Sequence, residues 1–148
     1  MWILRRLAEL GVSTDKLMLT YNTRIRVFAE ENAPLWMFSV NKSLIKKIER
    51  LQKTSFYIIL GKDADKEYLN NIKTLKTEPL EKRRQKLAIN FASKILKHPE
   101  HRKIFSYKND RTRSKNRVVI PMTKRARYER TTIPSLAHII NEKLPHKI

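Results

Sequence analysis

Over the first hundred residues, apolar positions recur at three- and four-residue steps, and short polar or proline-containing stretches interrupt them. This spacing is typical of amphipathic helices. Helix ends are predicted at Gly11, near Pro34, at Gly61 and at His98-Pro99, because glycine favours helix C-termini and the residue before a proline disfavours helical geometry. The pattern predicts an all-α fold, a small bundle of about four to five helices. Its predicted core residues are Leu17, Phe28, Trp36, Ile48, Leu51, Leu87 and Phe91.

Each of the four long predicted helices has an inner stripe, and the second, third and fourth also have a start signal. Ser13 begins the second helix, either Asn41 or Ser43 begins the third, and Thr77 begins the fourth with Pro79 in its first turn. The stripes are Trp2, Ile3, Leu7 and Leu10; then Leu17, Tyr21, Ile25, Phe28 and Ala29; then Leu44, Ile48, Leu51, Ser55 and Ile58; and finally Leu80, Leu87, Phe91 and Ile95, flanked by Arg84, Ala88 and Ala92. Residues 35–38 are predicted to form a short, buried apolar plug.

After residue 100 the helical periodicity fails. Residues 107–117 are polar and basic, and Val118 to Ile120 are compatible with one short strand. A terminal helix is predicted to start at Ile133-Pro134-Ser135 and to run through Leu144. The sequence therefore predicts a helical domain over residues 1–100 and an irregular basic arm with a short terminal helix over residues 101–148.

The charge of the chain is large and unevenly distributed. The 148 residues include 33 Lys and Arg against 14 Asp and Glu, a net charge of +19. Residues 79–148 hold 19 basic and 5 acidic groups, and Arg102 to Arg130 hold 11 and 2. An apolar content of 41% is too high for a wholly disordered polycation. Since such a charge attracts polyanions, nucleic acid is the expected partner.

Several functional classes are excluded by composition. The chain has no cysteine, which excludes disulfide scaffolds, cysteine-ligated zinc and thiol catalysis. Its longest apolar runs are about five residues, far short of the roughly 20 that a membrane span needs. No glycine-rich phosphate-binding motif is present. We therefore expect no cofactor, no membrane contact and no small-molecule substrate.

Two features invite a catalytic or metal-binding interpretation. Asp63 and Asp65 provide carboxylate oxygens that suit a divalent cation, and an enzymatic hypothesis would have them polymerise or cleave nucleic acid. His98 and His101 have a His-x-x-His spacing, with His138 or His146 as the only further histidines. The simpler interpretations are a solvated connector between helices and histidines at a helix end. We predict no catalytic residues and no metal site.

Basic residues interleaved with tyrosine are the stronger signal. Arginine forks match phosphate oxygens, and tyrosine stacks on bases. The predicted nucleic-acid-binding residues are Lys108, Arg111, Arg113, Lys115, Arg117, Lys124, Arg125, Arg127, Tyr128 and Arg130. A nuclear localisation cluster at Lys124 to Arg127 and a merely solubilising tail are the alternatives. The basic run Lys82 to Lys86 is less specific, because a solvated helix face explains it as well.

The order of five segments resembles a known family. They are Trp2-Ile3-Leu4-Arg5-Arg6-Leu7 running to Gly11; Ala33-Pro34-Leu35-Trp36; Ile48-Glu49-Arg50-Leu51-Gln52-Lys53 leading to Ile58-Ile59-Leu60-Gly61; Thr77-Glu78-Pro79-Leu80-Glu81-Lys82-Arg83-Arg84 leading to Lys94-Ile95-Leu96-Lys97-His98-Pro99; and Ala126-Arg127-Tyr128-Glu129-Arg130 with Ile133-Pro134-Ser135-Leu136. Together they resemble the region downstream of the palm in reverse transcriptases of non-LTR retrotransposons, the jockey-like and related animal elements. The resemblance spans nearly the whole chain and depends on order and spacing rather than on one motif.

This resemblance implies the thumb and C-terminal extension of an RNA-directed DNA polymerase, which hold template–primer or element RNA. In that family the catalytic aspartates lie in an upstream palm with an aromatic-x-Asp-Asp signature, which Asp63-Ala64-Asp65 does not match. Met1 falls inside what resembles a thumb helix. The implied protein is a non-catalytic fragment that binds RNA or DNA, with an upstream palm as a possible partner and a nuclear location favoured. The alternative is a helical protein-interaction module that needs a polymerase palm.

Overall fold

A computed structural model describes residues 1–107, 118–122 and 124–144 of the chain. This part is helical, which confirms the all-α prediction. It contains more helical segments than predicted, because four-residue helices occupy several connections. The α-helices are α1 (Trp2–Glu9), α2 (Thr14–Thr20), α3 (Arg26–Glu30), α4 (Ala33–Trp36), α5 (Lys42–Leu60), α6 (Tyr68–Thr74), α7 (Leu80–Lys97), α8 (Pro99–Arg102), α9 (Ala126–Glu129) and α10 (Thr132–Lys143). A π-helical segment, Tyr21–Ile25, joins α2 to α3, and the 3-10 turn Gly61–Asp63 follows α5.

The described residues form two compact units. Residues 1–31 and 41–83 make up the first unit, and residues 32–40 with the described residues from 84 onward make up the second. The boundary predicted at residue 100 falls inside the second unit. The reason is that α10 shares a hydrophobic core with α7.

Aromatic rings fill the core of the first unit. The buried residues there are Leu4, Leu17, Tyr21, Phe56, Ile59 and Ile72. Phe56 contacts the ring of Tyr21 edge-on at a centroid distance of 5.4 Å and stacks on Tyr68 at 6.1 Å. The Tyr21 phenol is fully buried, and this desolvation raises its pKa. Large aromatic side chains dominate the burial energy of such cores, so Phe56 is central to this unit.

Helix α1 ends where the sequence predicts but buries a different face. Gly11 adopts a positive φ of 75°, its N–H donates to the carbonyl of Ala8 at 3.0 Å, and the Val12 N–H reaches the carbonyl of Leu7 at 3.1 Å. This is a Schellman ending, which glycine favours. The predicted inner stripe is wrong, because Leu4 is the buried residue and Trp2 is 73% exposed. Ile3 and Leu10, also in that stripe, are exposed as well.

A π-helical turn changes the face of the second predicted helix. The Arg26 N–H donates to the carbonyl of Tyr21, five residues earlier instead of four. One extra residue in a turn rotates the following segment by about one helical position. Leu17 and Tyr21 are therefore buried as predicted, but downstream Ala29 takes the inner position and Phe28 is 77% exposed. The prediction of Phe28 as a core residue is wrong for this reason.

Pro34 begins a helix instead of preventing one. Helix α3 ends at Glu30, and Pro34 lies in the first turn of α4, where its missing N–H costs no hydrogen bond. Asn32 precedes it in the left-handed region, with φ of 50°. The predicted buried plug is wrong for Leu35, which is exposed, whereas residues 36–38 are partly buried.

Helix α5 buries a stripe that includes an amide. Asn41, one of the two predicted caps, accepts a hydrogen bond from the Leu44 N–H at 2.8 Å. The buried positions are Gln52, Ser55, Phe56 and Ile59. The predicted stripe contained Ser55 but otherwise lay one position away, and Leu44 and Leu51 of that stripe are exposed. The predicted stripe differs from the observed one because glutamine is usually a surface residue, whereas Gln52 is fully buried.

Gln52 forms hydrogen bonds with three polar groups of the first unit. Its Oε1 accepts hydrogen bonds from the Leu80 N–H at 2.9 Å and from the Tyr68 hydroxyl. Its Nε2 donates to the carbonyl of Glu78 at 2.9 Å. One side chain of α5 therefore holds α6 and the start of α7.

Alanines form the contact face of α7 in the second unit. Ala88 and Ala92 are fully buried, and Leu87 and Phe91 are only partly buried, so the residues predicted as flanks lie inside. The reason is size, since alanine lets a neighbouring segment approach closely. The core of this unit consists of Ala92, Ile95, Leu96, Phe105, Val118, Leu136, Ala137, Ile140 and Leu144.

The predicted irregular arm is anchored at its described ends. Phe105 and Val118 are buried, and Val118 forms an isolated antiparallel bridge with Tyr107 instead of the short strand that the pattern allowed. Asn141 of α10 holds Val118 with two hydrogen bonds, accepting from its N–H at 3.1 Å and donating to its carbonyl at 3.0 Å. The predicted terminal helix is confirmed as α10.

We expect Gln52→Leu to lower the free energy of unfolding by about 2–3 kcal/mol, because it removes the acceptor of the buried Leu80 N–H and the bonds from Gln52 to the Glu78 carbonyl and the Tyr68 hydroxyl. Urea denaturation followed by circular dichroism measures the change. Gln85→Leu is the control, since Gln85 is an exposed glutamine of α7. Equal stability of the two variants would contradict the role given to Gln52.

Candidate nucleic-acid interface

Half of the predicted nucleic-acid-binding residues can be located. Lys108, Arg111, Arg113, Lys115 and Arg117 lie outside the described residues. Lys124 and Arg125 precede α9, Arg127 and Tyr128 lie on it, and Arg130 follows it. All five are exposed, with Tyr128 at 49%. Glu129 is the one acidic residue between positions 124 and 130, so this segment presents a nearly unopposed positive charge.

Tyr107 has a structural role in the described chain. It is half-buried, bridges to Val118, and has the guanidinium of Arg102 at 5.0 Å from its ring centroid. This cation–π contact occupies one face of the ring. Tyr128 is therefore the better stacking candidate of the two tyrosines.

A second basic surface lies along the first three turns of α5. Five cationic side chains line a groove of about 770 Å³ there. They are Lys42, Lys46, Lys47, Arg50 and Lys53. The acidic residues in the described lining are Glu49 and Glu81, which leaves an excess of positive charge.

The spacing along α5 explains why these cations converge. Lys42, Lys46 and Arg50 are four residues apart, and residues at this step share one helix face. From residue 42 to residue 53 the helix rises about 16 Å. A DNA duplex carries one charge per about 1.7 Å of its axis, so the groove is long enough to face several phosphates.

None of these five cations was among the predicted nucleic-acid-binding residues. The four-residue repeat from Lys42 to Arg50 is the signal that would have found them. The contribution of Glu81 is a tertiary effect, because this residue is 28 positions or more from every other lining residue. Lys53 also contacts α6, where its Nζ lies 5.0 Å from the ring centroid of Tyr68.

Two arginines of the basic run Lys82 to Lys86 make internal contacts. Arg83 donates from Nη2 to Glu30 at 3.0 Å, and this hydrogen bond raises the pKa of the Arg83 guanidinium. Arg84 is buried, with its guanidinium 5.9 Å from the ring centroid of Trp36. These two arginines are structural and do not belong to the interface.

Asp65, the second residue of the acidic pair Asp63 and Asp65, orders a helix start. The Asp65 carboxylate accepts hydrogen bonds from the Glu67 N–H and from Asn70 Nδ2, each at 2.8 Å. Asn71 adds two more bonds to the Asp65 backbone, both at 2.8 Å. The bonds to Glu67 and Asn70 lower the pKa of the Asp65 carboxyl. This carboxylate therefore stabilises the turn that leads into α6.

The histidine pair also lies at a helix end. His98 precedes α8 and His101 lies on it, with their ring centroids 5.4 Å apart and both residues exposed. Among the described residues, no three His, Cys, Asp or Glu side chains are grouped so that they could hold a metal ion. Within the same residues, no helix is long and apolar enough to cross a membrane.

Comparisons with protein-family models, curated proteins and solved structures find no match for this chain. The resemblance to the reverse-transcriptase thumb therefore stays a prediction from the sequence.

We expect the Asp65 carboxyl to titrate below its ordinary pKa of 3.8. Because the folded-state pKa is lowered, the carboxylate stabilises the start of α6 above its ordinary pKa, and this contribution is lost as the pH falls through the lowered value. A carbon-13 NMR titration measures it. Asn70→Ala should raise the pKa toward 3.8, whereas Asn90→Ala, at an exposed asparagine of α7, should leave it unchanged. An Asp65 pKa insensitive to Asn70→Ala would contradict this stabilising role.

Proposed function

We propose that this chain is a non-catalytic helical module that binds the backbone of RNA or DNA, and that it derives from the thumb and downstream region of a non-LTR retrotransposon reverse transcriptase. The observation that carries the binding proposal is the α5 groove, in which five cations on three helical turns outnumber two carboxylates. The exposed basic segment from Lys124 to Arg130 supports it.

Both surfaces suit phosphates better than bases. Lysine supplies a point charge and arginine a planar fork, and neither residue reads sequence when it contacts a phosphate. Tyr128 provides an exposed ring on which an unpaired base can stack. Binding should therefore be largely independent of sequence and strongly dependent on salt.

We expect the logarithm of the binding constant for duplex DNA to fall with the logarithm of the salt concentration with a slope near −5, if about six phosphates are neutralised. Fluorescence anisotropy of a labelled duplex at several salt concentrations measures this slope. Replacing Lys46 and Lys47 by Ala should reduce it by about 2, since each cation contributes about 0.9.

The matched control removes the same charge elsewhere on the first unit. Lys16 and Lys73 are exposed lysines that do not line the groove. The double variant Lys16→Ala/Lys73→Ala should keep most of the slope. A slope of zero in the unaltered chain would overturn the proposal, and equal losses in the two double variants would remove the groove from it.

The arm is tested separately. Changing Lys124, Arg125 and Arg127 to Ala should reduce the same slope by about 3, because all three side chains are exposed. The same titration series measures it, and an unchanged slope would contradict the prediction for this part of the arm. Repeating the series with single-stranded RNA and an RNA–DNA hybrid determines which polymer binds best.

The proposed parentage has its own test. The genomic sequence immediately upstream of the coding segment should encode an in-frame palm with an aromatic-x-Asp-Asp signature. An unrelated upstream sequence would count against a role as part of a larger polymerase.

The alternative, a protein-interaction module that needs a polymerase palm, is favoured by one observation. Large apolar side chains such as Trp2 and Phe28 are exposed on the first unit, and exposed apolar surface of this kind marks interaction sites. A helical module with this role would self-associate or aggregate when isolated, so a clean monomer in size-exclusion chromatography would count against it.

A further inference from the structure

The first unit contains an apolar groove on a different set of side chains from the basic groove. It lies between α1, the π-helical segment, α3 and α5, and has a volume of about 330 Å³. Ile3, Ile25, Phe28 and Leu51 supply much of its wall, and Arg24 stands among them. A volume of this size accommodates a few large aliphatic side chains from a partner.

The exposure of this wall is a consequence of the π-helical turn. In a regular α-helix Phe28 would share the buried face of Leu17; the five-residue hydrogen bond from Arg26 to Tyr21 moves Phe28 outward and puts Ala29 inside. Single turns of π-helix inside α-helices frequently occur at functional sites. Here the turn exposes a large aromatic side chain and places Arg24 and Ile25 in the groove wall.

The charges of the groove and of the chain identify its occupant. Arg24 has the one charged side chain among the described residues that line the groove, so a complementary partner carries a carboxylate. A second copy of the chain is disfavoured, because both copies carry a net charge of +19. A phosphate backbone is disfavoured as well, since the wall is mainly apolar.

We propose that this groove binds an amphipathic helix of another protein, with aliphatic residues at a three- and four-residue spacing and a carboxylate that pairs with Arg24. Helix-in-groove recognition uses this pattern of anchors. The groove shares no lining residue with the basic groove of α5. The inference therefore does not depend on the proposed nucleic-acid function, and the two can fail separately.

The test uses the full-length chain and a phage-displayed library of helical peptides of about 16 residues, or a little over four turns. Enriched peptides are synthesised, and their affinities are measured by fluorescence anisotropy. We expect a consensus with aliphatic residues at i, i+4 and i+7 and an Asp or Glu on the flank. Phe28→Asp should weaken these peptides at least about tenfold, since buried aromatic anchors carry a large part of binding energy.

The controls separate the groove from general electrostatic attraction. Val27→Asp introduces the same charge at an exposed residue of α3 that does not line the groove, and it should change the affinity less than about twofold. Arg24→Glu should weaken the acidic peptides and restore binding to versions in which Lys replaces the acid. Because Phe28 and Val27 are both exposed, neither change should unfold the protein, and circular dichroism checks this.

Three outcomes would overturn the proposal. Peptides that share only negative charge and bind Phe28→Asp as well as the unaltered chain would show that the +19 surface attracts them. Self-association that sedimentation detects in the unaltered chain and not in Phe28→Asp would assign the groove to a second copy. If Phe28→Asp weakened oligonucleotide binding by the same factor as peptide binding, the groove would belong to the nucleic-acid surface.

Discussion

The packing of the first unit depends on the buried amide of Gln52. Gln52 is fully buried on the inner face of α5, and an amide in that position is unfavourable unless its donors and acceptors are all used. Three partners supply the bonds: the Leu80 N–H, the Glu78 carbonyl and the Tyr68 hydroxyl. These partners belong to α6 and the start of α7, so the amide determines which face of α5 is inside. Because this face of α5 is buried, the lysines of α5 lie on its outer face.

A second local constraint acts on the helix formed by α2, the π-helical segment and α3. The wide turn after Tyr21 rotates the remaining residues, so Ala29 enters the core and Phe28 leaves it. The small side chain of Ala29 is compatible with the close packing of that core. The same rotation produces the apolar groove. A regular α-helix with the same residues would not form this groove.

Internal contacts use charged groups of both signs. The carboxylate of Glu30 binds Arg83 and lies 3.8 Å from Arg26, and Asp65 is used to begin α6. Arg84 is buried and so adds nothing to the exposed charge. What remains exposed on α5 and around α9 is predominantly basic. This distribution favours phosphate contacts by the groove of α5 and by the segment from Lys124 to Arg130.

Periodicity and composition were enough to predict the all-α class, the helix end at Gly11, a cap at Asn41 or Ser43, the terminal helix and the basic character of the chain. These features depend on local hydrogen bonding and on summed charge, which are readable along the chain. The inner faces of α1, α3, α5 and α7 were predicted only in part. The faces of α3, α5 and α7 depend on one wide turn, one buried glutamine and the size of two alanines. The basic groove shows the same division: the spacing of Lys42, Lys46 and Arg50 is local, whereas Glu81 joins them only through tertiary packing. Hydrophobicity alone cannot decide which polar side chain finds partners in a core; only the packed neighbours decide that.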